Sequence, residues 1–447
     1  MNRLLIQQAE IITMNESMDI IYGDILIEKE RIVNIADDLS AHITPETKII
    51  NARGKTVLPG FVQTHIHLCQ TLFRGQADDM ELLDWLKKKL WPLEAAHDEE
   101  SLYYSAMLGI GELIQGGTTT IMDMETVHHT NSAFKAIAES GIRAFSGKVM
   151  MDLGDELPPE LLENTYDSLD ESVALLEKWH GYDNNRIKYA FSPRFVVSCT
   201  EQLLTEVRDL SRKHQVLVHT HASENKEEVK IVEKRTGMRN VEYLDHIGLT
   251  NERLVLAHCI WLNKREKQII HDRKVKMTHC PGSNLKLASG IADVYELSQQ
   301  GAHISLGADG ASCNNSLNMF QEMRLAALLP KTYHGPSSMP AQEVLKMATV
   351  GGARALGLEN EIGSLEAGKK ADLFLLNLKD FHSFPSETVD PISRIVYSAS
   401  AHDVETTIIN GAIVMEDRKI KTMVKEDILR ESNASIKRLT SKMAENV

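Results

Sequence analysis

The stretch Lys55–His67, KTVLPGFVQTHIH, is an apolar, β-branched run that ends in two histidines. Side chains two residues apart on a strand point to the same face, so the imidazoles of His65 and His67 share one side. Apolar runs of this kind recur along the middle of the chain. They are Thr118–Met124, Ile142–Met150, Ile187–Phe195, Val216–His221, Leu254–Ile260, Val275–His279 and His303–Gly307. Together with Lys55–His67 they predict eight strands.

Amphipathic helical patterns separate these runs. They are Glu100–Gln115, Ser132–Ser140, Ser168–Trp179, Glu201–Lys213, Lys226–Glu233 and Lys264–Asp272. Alternating β and α units over roughly 300 residues predict a parallel sheet covered by helices. Eight units favour a closed (β/α)8 barrel of the TIM type over an open sheet. We therefore predict an α/β protein whose barrel occupies residues 58–364.

Both ends of the chain have the pattern of short strands. Ile20–Glu30 and Arg31–Ile35 alternate apolar and polar residues, and Ala371–Leu376 and Glu405–Met415 do the same, the last with an Asn-Gly turn. Each set is too small to fold alone. We expect residues 1–57 and 365–447 to form one small discontinuous β-sandwich domain.

The bulk composition restricts the partners. With 49 basic and 63 acidic residues the formal charge is −14, which argues against nucleic acid or an anionic membrane. Neither a membrane-spanning run nor a signal peptide is recognised. The five cysteines never occur in C-x-x-C spacing, so we interpret them as buried small hydrophobes of a reduced, cytoplasmic protein. We expect a small-molecule substrate and a homo-oligomer.

Histidine and aspartate recur at the ends of the apolar runs, where a barrel places its C-terminal mouth. The first run ends in His65 and His67, and later ends read HTHASE (219–224), LAHC (256–259) and GADG (307–310). Burying several ionisable groups without partners is costly, whereas a metal ion makes them mutually supportive. The pattern therefore predicts a metal site rather than a set of core histidines.

The predicted ligands are two residues of the first run and one from each of two later runs: His65, His67, His221 and Asp309. Imidazole and carboxylate suit Zn²⁺. His219 replaces His221 if the register of its strand slips by two residues. His279, at the end of the seventh run, is expected to support the site and not to bind the metal.

These residues carry a resemblance to a known family. The segments PGFVQTHIH (59–67), HASE (221–224), LAHC (256–259) and GADG (307–310) resemble the amidohydrolase superfamily. Four further segments are similar to the 5′-methylthioadenosine/S-adenosylhomocysteine and 5′-deoxyadenosine deaminases. They are LFRGQADD (72–79), WPLE (91–94), HCPGSNLKLASG (279–290) and residues 308–322, and the likeness extends to GSLEAGKKAD (363–372).

The resemblance implies zinc-dependent hydrolytic deamination of a purine nucleoside, with release of ammonia. A bound zinc ion would lower the pKa of a water from about 15.7 toward about 7, with Asp309 as general base and then acid. By resemblance, Glu224 protonates the ring nitrogen and His258 hydrogen-bonds the attacking oxygen. A helix N-terminal acid is the alternative for Glu224.

The resemblance also bears on the number of metal ions. Two-metal relatives need a bridging ligand, often a carbamylated lysine, at the end of strand four. Here that strand ends FSPRF (191–195), with Lys188 at its start. We therefore predict one ion per chain, zinc, with Fe²⁺ as the alternative metal.

The substrate pocket departs from the family pattern. A glutamate that matches Glu94 bonds ribose hydroxyls in the family, but the usual histidine of strand four is Arg194 here. Arg194 with Gln70 looks like guanine deaminase, so a purine-base deaminase is the first alternative. Arg143 and Lys148 are weaker candidates for contacting a substrate carboxylate.

Two further alternatives and one exclusion complete the analysis. A triazine-type chloro- or aminohydrolase uses the same chemistry, but such relatives can lack an acid at the position of Glu224. A non-catalytic barrel assembly protein would have lost ligands that are present here. A zinc deaminase of nucleic acids is disfavoured because its H-x-E…P-C-x-x-C spacing is absent.

Overall fold

The computed structural model describes residues 3–445 and shows mixed α/β architecture, as predicted. Eight parallel strands follow one another along the middle of the chain. They are Phe61–His67, Thr118–Met124, Arg143–Gly147, Ile187–Tyr189, Val218–Ala222, Leu254–His258, Lys276–His279 and His303–Leu306. Each lies within or overlaps an apolar run of the sequence, so the predicted strand positions agree closely with the structure.

The parallel strands pair with their neighbours in chain order. The first four lie in one sheet and the last four in another. Parallel bridges from Phe191 to Val218 and from Phe195 to His221 connect the segment that follows the fourth strand to the fifth strand. Asp309–Gly310, directly after the eighth strand, pairs with Ile66 and His67 of the first. The carboxyl ends of the strands therefore meet on one side.

Helices connect the parallel strands and bury one face each. In Glu201–His214 the buried residues are Leu203, Leu204, Val207 and Ser211, which form one stripe at helical spacing. Thr200 caps its first turn by accepting from the amide of Leu203. The longer helices are Glu99–Gln115, Thr130–Ser140, Thr165–Trp179, Glu201–His214, Lys226–Thr236, Asn240–His246, Lys264–Asp272, Met319–Leu328, Ala341–Ala348, Pro391–Tyr397 and Lys425–Glu445.

The prediction of a single strand over Lys55–His67 was wrong. The structure has two strands there, Thr56–Pro59 and Phe61–His67, with Gly60 between them. A Cβ at position 60 would lie 2.0 Å from the hydroxyl of Thr119, so only glycine allows this close approach. The first of the two strands belongs to a different sheet.

That other sheet contains nine strands and draws on both ends of the chain. Leu373–Leu376 pairs antiparallel with Thr56–Pro59, which itself pairs with Arg3–Ile12. A β-sandwich and the boundaries 1–57 and 365–447 stay predictions. The nine strands are Arg3–Ile12, Ile20–Glu28, Arg31–Ala36, Lys48–Asn51, Thr56–Pro59, Leu373–Leu376, Val404–Ile409, Ala412–Glu416 and Lys419–Ile420.

Two expectations from composition can be compared with the structure. All five cysteines are buried and free of disulfide bonds, which agrees with their interpretation as small hydrophobes. Among the helices formed by residues 3–445, none is both long enough and apolar enough to cross a bilayer.

A buried ion pair joins the nine-stranded sheet to the parallel strands. Arg143, the first residue of the third parallel strand, donates from Nε and Nη2 to the two carboxylate oxygens of Asp372, at 2.7 and 3.0 Å. Asp372 also accepts from the amide of Asn410 at 2.7 Å. Arg143 was a candidate for contacting a substrate carboxylate. Its guanidinium is instead committed to this structural contact.

We expect Asp372→Asn to destabilise the fold by about 3–5 kcal/mol, because it leaves the Arg143 guanidinium buried without its counter-charge. Thermal and urea unfolding followed by circular dichroism measure the effect. Asp427→Asn is the matched control, since Asp427 pairs with Arg430 at 2.7 Å on the surface. Equal stability of the two variants would contradict this account.

Candidate metal centre and active site

Imidazoles from three parallel strands and one carboxylate converge where the strands end. His65, His67 and Asp309 form one buried group whose ligand atoms lie within 4.8 Å of one another. His65, His221 and His258 form a second such group. The four residues predicted as ligands from the sequence are therefore brought together, and His258 lies beside them.

In His67 and His221 the contact of Nδ1 shows which ring nitrogen faces the centre of the cluster. Nδ1 of His67 lies 2.7 Å from the carbonyl oxygen of Met124, and Nδ1 of His221 lies 2.7 Å from that of Arg194. A carbonyl oxygen only accepts, so each Nδ1 carries the proton and each Nε2 presents a lone pair. These two Nε2 atoms are 3.3 Å apart. Two facing lone pairs repel each other, and a cation between them removes the repulsion.

His65 completes the arrangement. Its Nδ1 lies 2.8 Å from Nε2 of His219, and its own Nε2 is buried without a hydrogen-bond partner among the described residues. Asp309 Oδ1 lies 3.4 Å from His65 Nε2 and 3.3 Å from His67 Nε2. Orphaned imidazole nitrogen beside a carboxylate is the donor set that a divalent metal requires, so these residues fit a metal ion.

The electrostatics agree with that fit. Burial lowers the pKa of His65 to about 4, and burial with the neighbouring imidazoles lowers the pKa of His221 well below its ordinary value. Burial opposes ionisation of Asp309, but its contacts with the imidazoles of His65 and His67 hold its pKa well below the usual range. Neutral imidazoles and an ionised carboxylate at neutral pH are the protonation states that bind metal.

Glu224 and His258 face the cluster without belonging to the predicted ligand set. Glu224 Oε2 lies 3.5 Å from His258 Nε2, which is 3.8 Å from Asp309 Oδ2. Burial raises the pKa of Glu224, which favours a neutral carboxyl. The helix that begins at Lys226 is capped by Asn225 and Glu228 instead, so the helix-end interpretation of Glu224 has no support in its contacts.

The backbone is strained at three of these strand ends. Ser223, His258 and Asp309 have φ of 54°, 73° and 65°, in the left-handed region that non-glycine residues rarely occupy. Such strain persists only where the surrounding structure imposes it, and it is concentrated at functional sites. The sequence carries no signal for it.

The candidate substrate residues form one buried chain of hydrogen bonds. Arg194 Nη1 donates to Glu94 Oε2 at 2.7 Å, and Gln70 Nε2 donates to Glu94 Oε1 at 3.1 Å. The amide oxygen of Gln70 accepts from Ser312 Oγ at 2.7 Å. Both oxygens of Glu94 are thus already engaged, and the free N–H groups here are donors of Arg194 and Gln70.

A cavity connects Gln70 and Arg194 with Glu224, His258 and the predicted metal ligands. The cavity lining combines predicted metal ligands, such as His67 and Asp309, with apolar side chains, such as Trp85 and Phe195. Its lining residues are His67, Gln70, Leu82, Trp85, Leu86, Arg194, Phe195, His221, Glu224, His258, Leu287 and Asp309.

Three other residues singled out in the sequence lie apart from the cavity lining. Nε2 of His219 contacts Nδ1 of His65, and His279 is buried with no hydrogen-bond partner for its Nδ1 in the part of the chain that the structure describes. Lys148 is buried against Glu163, so it is not available to a substrate carboxylate. Sequence reasoning assigned no role to Asn284 and Ser289, which contact His258 and Glu224 from the short helix Pro281–Lys286 and the residues that follow it.

Known proteins resemble this chain along most of its length. The profile of the Amidohydrolase family matches residues 56–414. A 5′-deoxyadenosine deaminase of Methanobrevibacter smithii is 40% identical over 439 residues, 98% of each chain. A 5-methylthioadenosine/S-adenosylhomocysteine deaminase of Syntrophomonas wolfei is 38% identical over 98% of this chain and 100% of its own.

Among solved structures, an adenosine deaminase from Xanthomonas campestris with bound zinc has a TM-score of 0.91. It is 29% identical, and the superposition covers 98% of each chain. Taken with the family profile and the relatives near 40% identity, this likeness shows that the chain belongs to the amidohydrolase family.

Proposed function

We propose that the protein is a zinc-dependent aminohydrolase that deaminates a purine nucleoside of the 5′-deoxyadenosine, 5′-methylthioadenosine or S-adenosylhomocysteine type, releasing ammonia. One observation carries the proposal: inward-facing imidazole nitrogens and an ionised Asp309 share a cavity with Glu224, whose pKa is raised. Relatives that match nearly the whole chain are named as deaminases of these nucleosides.

In this proposal His65, His67, His221 and Asp309 hold one metal ion per chain. Zinc suits three imidazoles and a carboxylate, and Fe²⁺ is the alternative. The ion when bound lowers the pKa of a water from about 15.7 toward about 7. Lys188, near the start of the fourth parallel strand, is not among the residues that line the cavity, which supports a single ion.

In this proposal each proton transfer is assigned to one of the side chains around the ion. Ionised Asp309 accepts a proton from the attacking water and passes it to the leaving amine. Neutral Glu224 donates its proton to the ring nitrogen next to the attacked carbon. His258 hydrogen-bonds the attacking oxygen in this scheme, and the 3.8 Å distance from its Nε2 to Asp309 Oδ2 supports that role.

The hydrogen bonds that Glu94 already makes favour a second candidate function, that of a purine-base deaminase. A glutamate that binds both ribose hydroxyls needs free acceptor lone pairs, and Arg194 and Gln70 already occupy three of the roughly four acceptor sites of Glu94. The N–H donors of Arg194 suit a ring nitrogen or a carbonyl oxygen, as in guanine. The presence of Glu224 argues against the triazine-type alternative.

The same family membership supports the fold proposed from the sequence. We infer that the eight parallel strands close into a (β/α)8 barrel over residues 58–364. The terminal strands, within residues 1–57 and 365–447, then form a discontinuous β-sandwich domain. The pairings at both junctions between the two parallel sheets support closure.

Ammonia release by zinc-loaded protein tests the proposal directly. The substrates are 5′-deoxyadenosine, 5′-methylthioadenosine, S-adenosylhomocysteine, adenosine and guanine. We expect kcat/KM for the best nucleoside to exceed that for guanine by at least about tenfold. Activity on guanine alone would establish the second candidate, and no activity on any of the five would overturn both.

Glu224→Gln should lower kcat by about 100- to 10,000-fold, because it removes the general acid. Metal content should stay at the wild-type level, since Glu224 is not a proposed ligand. Glu322→Gln is the matched control: Glu322 is also buried, burial raises its pKa to about 7, and it is not among the cavity-lining residues. Near-native turnover by Glu224→Gln would contradict the proton-transfer scheme.

A further inference from the structure

Among residues 3–445, the carboxyl group of Glu224 makes a hydrogen bond through one oxygen only. Ser289 Oγ donates a hydrogen bond to Oε1 at 3.2 Å. The other oxygen, Oε2, faces Nε2 of His258 at 3.5 Å. Both Glu224 and Ser289 are buried, with 4% and 2% of their surface exposed, so water does not readily replace this bond.

Ser289 is itself fixed on both sides through its backbone. Its amide donates to the carbonyl of Asn284 at 2.9 Å, and its carbonyl accepts from the indole nitrogen of Trp261 at 2.7 Å. The side-chain oxygen of Asn284 lies 2.9 Å from Nδ1 of His258. One short segment, residues 284–289, therefore supports both side chains that face the metal cluster from outside the ligand set.

The main chain of Glu224 is fixed as well. Its amide donates to Oε2 of Glu228 at 2.7 Å, and the carbonyl of Ser223 accepts from the amides of Ile260 and Trp261 at 3.0 and 2.9 Å. With the backbone held, the orientation of the carboxyl group depends on side-chain contacts. The hydrogen-bonded contact of the Glu224 carboxyl group is the one with Ser289.

We propose that Ser289 is the positioning residue of Glu224 and that its hydroxyl directs the acidic proton onto Oε2, the oxygen beside His258. The inference rests on the proposed role of Glu224 as proton donor. A neutral carboxyl group has one carbonyl oxygen and one hydroxyl oxygen. Because Oε1 accepts from Ser289, Oε1 acts as the carbonyl oxygen and Oε2 carries the proton.

The proton balance of the transfer follows from this assignment. The Oε2–H bond breaks as the N–H bond of the substrate ring forms, and Glu224 becomes a carboxylate. The Ser289 hydroxyl stays bonded to Oε1 throughout and stabilises the charge that develops. Without the hydroxyl, the carboxyl group is free to place its proton on either oxygen.

Ser289→Ala tests the inference. We expect kcat to fall by about tenfold while KM changes less than about twofold, since the bond acts in the proton transfer and not in substrate binding. Metal content and the thermal midpoint should stay at wild-type values. Ser283→Ala is the matched control, because Ser283 is a nearby buried serine, in the short helix Pro281–Lys286, whose hydroxyl donates to the carbonyl of Cys280. Ser289→Cys, of similar volume with a weaker donor, repeats the test should the alanine variant fold poorly.

A double-mutant cycle distinguishes positioning from a purely structural role. In the Glu224→Gln background, Ser289→Ala should lower the remaining kcat by less than about twofold, because the group on which it acts has been removed. An equal loss in both backgrounds, or a wild-type kcat for Ser289→Ala, would overturn the role of Ser289. Wild-type protein that releases no ammonia from any nucleoside or base would instead overturn the proposed function.

Discussion

The site is organised around the Nε2 lone pairs of the clustered imidazoles. His67 and His221 each give their Nδ1 proton to a backbone carbonyl, so their Nε2 lone pairs face each other across 3.3 Å. The hydrogen bonds of the two Nδ1 atoms to the carbonyls of Met124 and Arg194 hold the rings in this orientation. A divalent cation between the two atoms removes this repulsion, and Asp309 and the Nε2 of His65, which lacks a hydrogen-bond partner among the described residues, complete the donor set.

The two carboxyl groups near this centre lie in surroundings that favour different charge states. Asp309 is kept ionised by its imidazole neighbours, whereas burial favours a neutral Glu224. In the proposed reaction the first of these carboxyl groups accepts a proton and the second donates one. A second buried set, in which Arg194 and Gln70 engage Glu94, reaches the same cavity through Arg194 and Gln70.

Much of this arrangement could be predicted from the sequence because it follows from strand periodicity. His65 and His67 lie on one face of a strand, and the other histidines and Asp309 end runs that a parallel fold brings to one edge. The pairing of Arg194 with Glu94 joins residues 100 positions apart, and Ser289 lies 65 positions from Glu224. No spacing rule connects such positions. The break at Gly60 was also missed, since the close approach of Thr119 that requires glycine is a tertiary contact.

Zinc K-edge X-ray absorption on the metal-loaded protein tests the central claim most directly. Three imidazole nitrogens and a carboxylate oxygen predict N and O scatterers at about 2.0–2.2 Å, with the outer-shell pattern of three imidazole rings. Cys259, Cys280 and Cys313 lie close in sequence to His258, His279 and Asp309, so sulfur is the informative alternative. A sulfur scatterer at about 2.3 Å, or fewer than three imidazoles, would contradict the account.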